Sequence, residues 1–200
     1  VTASPSPVNG TTYYAVDAAA NSLTADTLYH FRVVAVNAGG TTYGADATFT
    51  TTAADPIATT GTATNITTTG AKLNGTVNAK NHSTTVTFNY GPSISDAGAT
   101  VTGTPSPVSG TANTAVSVTI TGLIPNHIYY FRVVGASSGG TTYGAYESFT
   151  TSAAAPTAST SAATSIATTS ARVNGTVNAR NSSTTVTFQY GLTTSYAQTR

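Results

Sequence analysis

The chain has 200 residues and a formal net charge of +1, with 6% charged and 39% apolar residues. That apolar share, arranged in short runs of valine, isoleucine, phenylalanine and tyrosine, excludes a disordered chain, and seven scattered Lys and Arg exclude the clustered basic surface that nucleic acid requires. The absence of cysteine excludes disulfides, thiolate metal sites and thiol nucleophiles, and no apolar run reaches membrane-spanning length.

In chain order, Tyr29-His30-Phe31-Arg32-Val33-Val34 is followed by Gly39-Gly40-Thr41-Thr42-Tyr43-Gly44 and a linker near Thr51–Pro56. Both motifs return one hundred residues later, as Tyr129-Tyr130-Phe131-Arg132-Val133-Val134 and Gly139 to Gly144. Asn74 to Ala79 likewise returns at Asn174 to Ala179, and roughly half of all paired positions are identical. A fixed period marks one structural unit used repeatedly, and this period is domain-sized. The linkers divide the chain into 1–52, the back half of a unit; 53–152, a complete unit; and 153–200, the front half of another.

Within 53–152 short alternating runs replace helical periodicity. An opening strand is expected around Ala58–Ile66, then one through Ala71–Val77, with Gly75 leaving room for a bulky neighbour. Thr85 to Tyr90 places Val86, Phe88 and Tyr90 on one face before Gly91-Pro92 ends it. A short strand near Val101 precedes Val116 to Ile120. Ile128 to Val134 points Tyr129, Phe131 and Val133 inward, with His127, Tyr130 and Arg132 outward. Ser138-Gly139-Gly140 then turns the chain into one last strand, through Tyr143 to Phe149. Seven strands with turns at this spacing predict a two-sheet antiparallel sandwich.

Leu123-Ile124-Pro125-Asn126-His127-Ile128-Tyr129, followed by Phe131-Arg132-Val133, resembles the entry to the F strand in fibronectin type III domains. Ala71–Val77, Val86–Gly91, Gly140–Gly144 and Phe149–Thr151 resemble a bacterial branch of that family. The resemblance implies tandem immunoglobulin-like, seven-stranded all-β sandwiches, with Tyr129 forming a corner that ties the E–F connection to the body. Three departures accompany it. There is no tryptophan for the B strand, Ala25 stands where the proline should be, and no Arg-Gly-Asp loop is present. Integrin binding is therefore not carried over.

Candidate chemistry is sparse. His30, His82 and His127 correspond to Tyr130, Ser182 and Thr27 in the other copy, so none belongs to a recurring constellation. Asp17, Asp26, Asp46, Asp55, Asp96 and Glu147 lack calcium-loop spacing, and no serine sits in a nucleophile elbow. A lysine–asparagine crosslink is disfavoured because Lys72 and Lys80 become Arg172 and Arg180. We expect no catalytic residue, metal or cofactor, and no enzymatic activity. Six asparagines carry the Asn-x-Ser/Thr pattern; Asn74 and Asn174 lie within strands, leaving Asn81 and Asn181 in the B–C loop as the glycosylation candidates.

The expected role is structural: a repeat of an extracellular fibre, stalk or surface filament, on the outside of a bacterial or archaeal cell, its units joined head to tail. Its partners are further copies of the same repeat, with surface glycans as a second class. Self-association meets little electrostatic resistance at a net charge of +1. Two arrangements reconcile the half units with the whole one. We expect a covalent tandem array, since duplicated domains arise within one long chain; the other is strand sharing between separate subunits. The alternative function is a spacer or carbohydrate-binding accessory module of a secreted glycan-degrading enzyme or adhesin, presenting exposed Tyr13, Tyr14, Tyr130, Tyr146 and Tyr196.

Overall fold

The computed structural model describes residues 1–196 and 198–199. All regular structure among them is β. The first segment holds β1 (Leu28–Phe31), β2 (Val34–Asn37), β3 (Gly40–Tyr43) and β4 (Ala47–Thr50). The middle segment holds β5 (Ile57–Thr64), β6 (Gly70–Asn78), β7 (Thr85–Gly91), β8 (Ala99–Thr102), β9 (Asn113–Thr121), β10 (Ile128–Ala136), β11 (Thr141–Tyr143) and β12 (Glu147–Thr150). The last holds β13 (Thr157–Thr164), β14 (Arg172–Asn178), β15 (Gln189–Tyr190) and β16 (Gln198–Thr199).

The middle segment is an immunoglobulin-like sandwich. One sheet runs β5-β6-β9; the other runs β11-β10-β7-β8, with β12 also on β10. All pairings are antiparallel. Alternation puts every second side chain of β6, β7 and β10 into the space between the sheets. Leu73, Val77, Val86, Phe88, Phe131 and Val133 are fully buried there, with Val116, Ile120, Tyr129 and Phe149 beside them. Tyr130 and Arg132 face outward as expected, while Val134, beyond the expected inward set, is also buried. Phe149 meets Phe131 edge-on at 5.9 Å and stacks on Tyr129 at 5.8 Å.

Three local devices fix this geometry. The amide of Ile124 donates to the Tyr129 hydroxyl at 3.0 Å, the corner implied by the resemblance. The same bond joins Thr24 to Tyr29 at 2.9 Å, so Ala25 in place of proline does not abolish it. Asn74 and Gly75 continue the strand, as the alternation predicts. Asn74 Nδ2 donates to the Thr62 carbonyl at 2.8 Å and to Thr64 Oγ1 at 3.0 Å, clamping the register shift between Gly61 and Thr64. A Cβ at Gly75 would press on Val133.

The last strand of the sandwich is divided, not continuous. Val133 N–H donates across the sandwich to Thr60 Oγ1 at 3.2 Å, while Val133 O accepts from Gly144 N at 2.9 Å. The backbone of Gly144 lies hard against Thr60, so a side chain there would collide with it. The strand breaks at Gly144–Tyr146, where this approach occurs.

The flanking segments show which pairings a sequence can make without its partners. Residues 13–21 occupy the position of 113–121 but share only Ala15 and Val16 with it, Ala18 and Ala20 standing for Val118 and Ile120; they form no strand, while β9 bonds to β6 along its whole length. In the first segment β1 pairs β4 and β2 pairs β3. In the last, β13 pairs β14 in the register of β5 and β6, including the same shift. The sequence equivalent to β7, however, is strand only at Gln189–Tyr190. The described strands of the two flanking segments pair only within their own segment.

Candidate interaction surfaces

The histidines do not converge. His30 Nδ1 lies 2.7 Å from Asp46 Oδ2 on the open surface, and their counterparts Tyr130 and Tyr146 replace that pair by aromatic rings. His127 packs edge-on against Tyr129 at 5.2 Å. His82 is largely covered, its Nδ1 3.5 Å from Ser138 Oγ and 3.8 Å from Asp26 Oδ2. Among the described residues no three His, Asp or Glu side chains gather as a metal site would require. Two open grooves follow the paired edges of β5–β6, about 420 Å³, and β13–β14, about 270 Å³. Their linings are hydroxyl, amide, backbone and alkyl groups, with no titratable side chain.

The exposed tyrosines form no repeated strip. Arg132 lies over the rings of Tyr143 at 4.1 Å and Tyr146 at 4.7 Å. In the first copy Arg32 covers Tyr43 at 4.2 Å, but Asp46 stands where Tyr146 would be. Tyr13 is fully exposed and Tyr14 donates to the Asn9 carbonyl at 2.7 Å. Their counterparts, Asn113 and Thr114, are not aromatic.

The loops between segments make defined contacts that no spacing pattern announced. Asn126, at φ 48° in the E–F turn, donates through Nδ2 to the Asn181 carbonyl at 2.6 Å. Asn181 returns bonds from its own Nδ2 to the carbonyls of Asn126 at 3.0 Å and Pro125 at 3.2 Å. At the preceding junction the corresponding positions are Asp26 and Asn81, with His82 for Ser182. A carboxylate cannot donate as an amide does, and there the contact is Asp26 with His82 instead. Both glycosylation candidates are exposed. The Asn181 amide is committed to the clasp, so a sugar on its Nδ2 would displace a bond.

Core-type side chains of the flanking segments are more exposed than their counterparts in the middle sandwich. Phe131 is fully buried but its copy Phe31 is 55% exposed; Leu73 is fully buried but Val173 is 45% exposed. Val86 and Val186 differ in the same way, at 0% and 55%.

No protein-family model and no curated protein matches the chain. Among solved structures it is similar to the sensor domain of the anti-sigma factor RsgI4 in Pseudobacteroides cellulosolvens, in two lengths. The shorter is 22% identical with a TM-score of 0.40, covering 50% of this chain and 96% of that one. The longer is 23% identical with a TM-score of 0.36, covering 56% and 99%. The FN1-FN3 domains of chicken CNTN1 are 16% identical with a TM-score of 0.36, covering 69% of this chain and 47% of that one. Among the described residues, no helix is long and apolar enough to cross a membrane.

Proposed function

We propose that the chain is a structural repeat of an extracellular fibre, stalk or surface filament, built of fibronectin type III-like units joined head to tail. The units are 1–52, 53–152 and 153–200, the first and last being complementary halves. One observation carries this reading: the core sequence of the middle sandwich recurs in register on both sides of it, at a fixed spacing of one hundred residues. The flanking strands include counterparts of β5, β6, β10, β11 and β12 of the middle sandwich, with β7 matched only at Gln189–Tyr190. The loop contacts at the two junctions support a fixed head-to-tail order, and the short linker ending in Pro156 limits slack between units. The work is mechanical, and no catalytic group takes part.

Immunogold labelling of intact source cells with antibodies to this chain tests the proposal. Gold along extracellular filaments is expected, and label confined to the cytoplasm contradicts it. A spacer or glycan-binding module is the competing role, carried by Tyr143 and Tyr146 around Arg132. Retention on insoluble polysaccharide, lost on Tyr146→Ala, favours that role.

A further inference from the structure

We propose that the Asn9-Gly10 turn is a self-modifying site. Assisted by the Tyr14 hydroxyl, the Gly10 nitrogen closes on the Asn9 side-chain amide, ammonia leaves, and water opens the ring to aspartate or isoaspartate. This goes beyond the mechanical role above and does not rest on it.

Asn-Gly occurs three times in the chain, at Asn9, Asn74 and Asn174, and the fold treats the three differently. Asn74 Nδ2 donates to the Thr62 carbonyl at 2.8 Å and to Thr64 Oγ1 at 3.0 Å. Asn174 Nδ2 repeats the clamp on the Ala162 carbonyl at 2.8 Å and Thr164 Oγ1 at 3.1 Å. Gly75 lies inside β6, paired with β5 on one side and β9 on the other, and Gly175 lies inside β14. Before either asparagine can react, its amide must give up those bonds and its strand must unpair to turn the next nitrogen toward Cγ.

Asn9 carries neither restraint. It is exposed, lies outside every strand, and among the described residues its side-chain amide has no hydrogen-bond partner. Gly10 has no side chain to shield its nitrogen, and its φ of 102° suits glycine. The Tyr14 hydroxyl donates to the Asn9 carbonyl at 2.7 Å. That carbonyl belongs to the peptide whose nitrogen is the nucleophile, so the bond draws electron density from the amide and eases loss of its proton. The proton goes to solvent hydroxide, the bond from the Gly10 nitrogen to Cγ forms, and the Cγ–Nδ2 bond breaks. The departing group takes a proton from water and leaves as ammonia, after which one water adds at either ring carbonyl. The middle sandwich has the same turn at Ser109-Gly110, where Gly110 has a φ of 87° and Ser109 is exposed, so a closed sandwich leaves this position open. The product carries a carboxylate, which takes the formal net charge from +1 to zero.

Peptide mapping by mass spectrometry, after incubation of the whole folded chain at mildly alkaline pH and digestion in acid, tests this. Asn9 is expected to convert to a mixture of aspartate and isoaspartate while Asn74 and Asn174 stay amides. Val8-Asn9-Gly10-Thr11 and Val173-Asn174-Gly175-Thr176 are the same tetrapeptide. In urea-unfolded chain those two asparagines should therefore react at similar rates, which shows that the fold sets them apart. Tyr14→Phe keeps the ring, removes the hydroxyl, and should slow conversion of Asn9 about fivefold, the rate equivalent of one neutral hydrogen bond. An Asn9 that stays an amide overturns the inference, as does an Asn174 that reacts as fast as Asn9 in the folded chain. A Tyr14→Phe chain that converts at the wild-type rate overturns the assistance by Tyr14.

Discussion

Thr151 shows how a hydroxyl substitutes for charge in this chain. It is 2% exposed, its Oγ1 accepts from His127 N–H at 3.0 Å and donates to the Ile124 carbonyl at 2.6 Å. Thr51 repeats both bonds at 3.0 and 2.6 Å but is only half-buried. Thr151→Val keeps the shape and removes the partner of two part-buried backbone groups, which costs about 1 kcal/mol. Urea unfolding of the middle sandwich should show that loss, and Thr51→Val in the unassembled chain should leave the same transition unmoved. Tyr129 was legible in advance because its spacing from Leu123 and Pro125 is distinctive. Thr151 was not, since one threonine in a threonine-rich chain carries no local signal. The Asn126–Asn181 clasp was hidden for a similar reason. Two loop asparagines 55 positions apart acquire meaning only when the E–F and B–C turns meet.

Strands here exist where their partners exist. The alternating runs located β6, β7, β9 and β10 closely, because each has one buried and one solvated face. The last strand read as continuous. Its break at Gly144–Tyr146 recurs between β3 and β4, where Gly44 N–H bonds to the Val33 carbonyl as Gly144 does to Val133, so it belongs to this stretch of chain and not to the contact with Thr60. The first segment gives the complementary lesson: around Val16 the alternation of β9 is lost, Asp17 and Ala18–Ala20 replacing Ser117 and Val118–Ile120, and no strand edge bonds to it. Amide hydrogen exchange on dilute, unassembled chain should therefore find residues 113–121 strongly protected and residues 13–21 nearly unprotected. Equal protection of both stretches at high dilution contradicts the account.

For the whole molecule, the repeat at one hundred residues exposed the organisation, and the period follows from one sandwich plus its linker. What the repeat could not show is how the two sheets meet, since Val133 reaches Thr60 and Phe149 packs on Phe131 only in the folded middle sandwich. Because the chain has no cysteine, its register can be read by introducing just two. Thr76 pairs with Ala115 across β6 and β9. Mild oxidation of the Thr76→Cys/Ala115→Cys chain, read on a denaturing non-reducing gel, is the most direct test of the sandwich on which the account is built. A fast-migrating, internally crosslinked chain is expected, and far less of it for Gly75→Cys/Ala115→Cys, where a one-residue slip turns the first thiol to the opposite face. No crosslink, or equal crosslinking of both variants, would contradict the account.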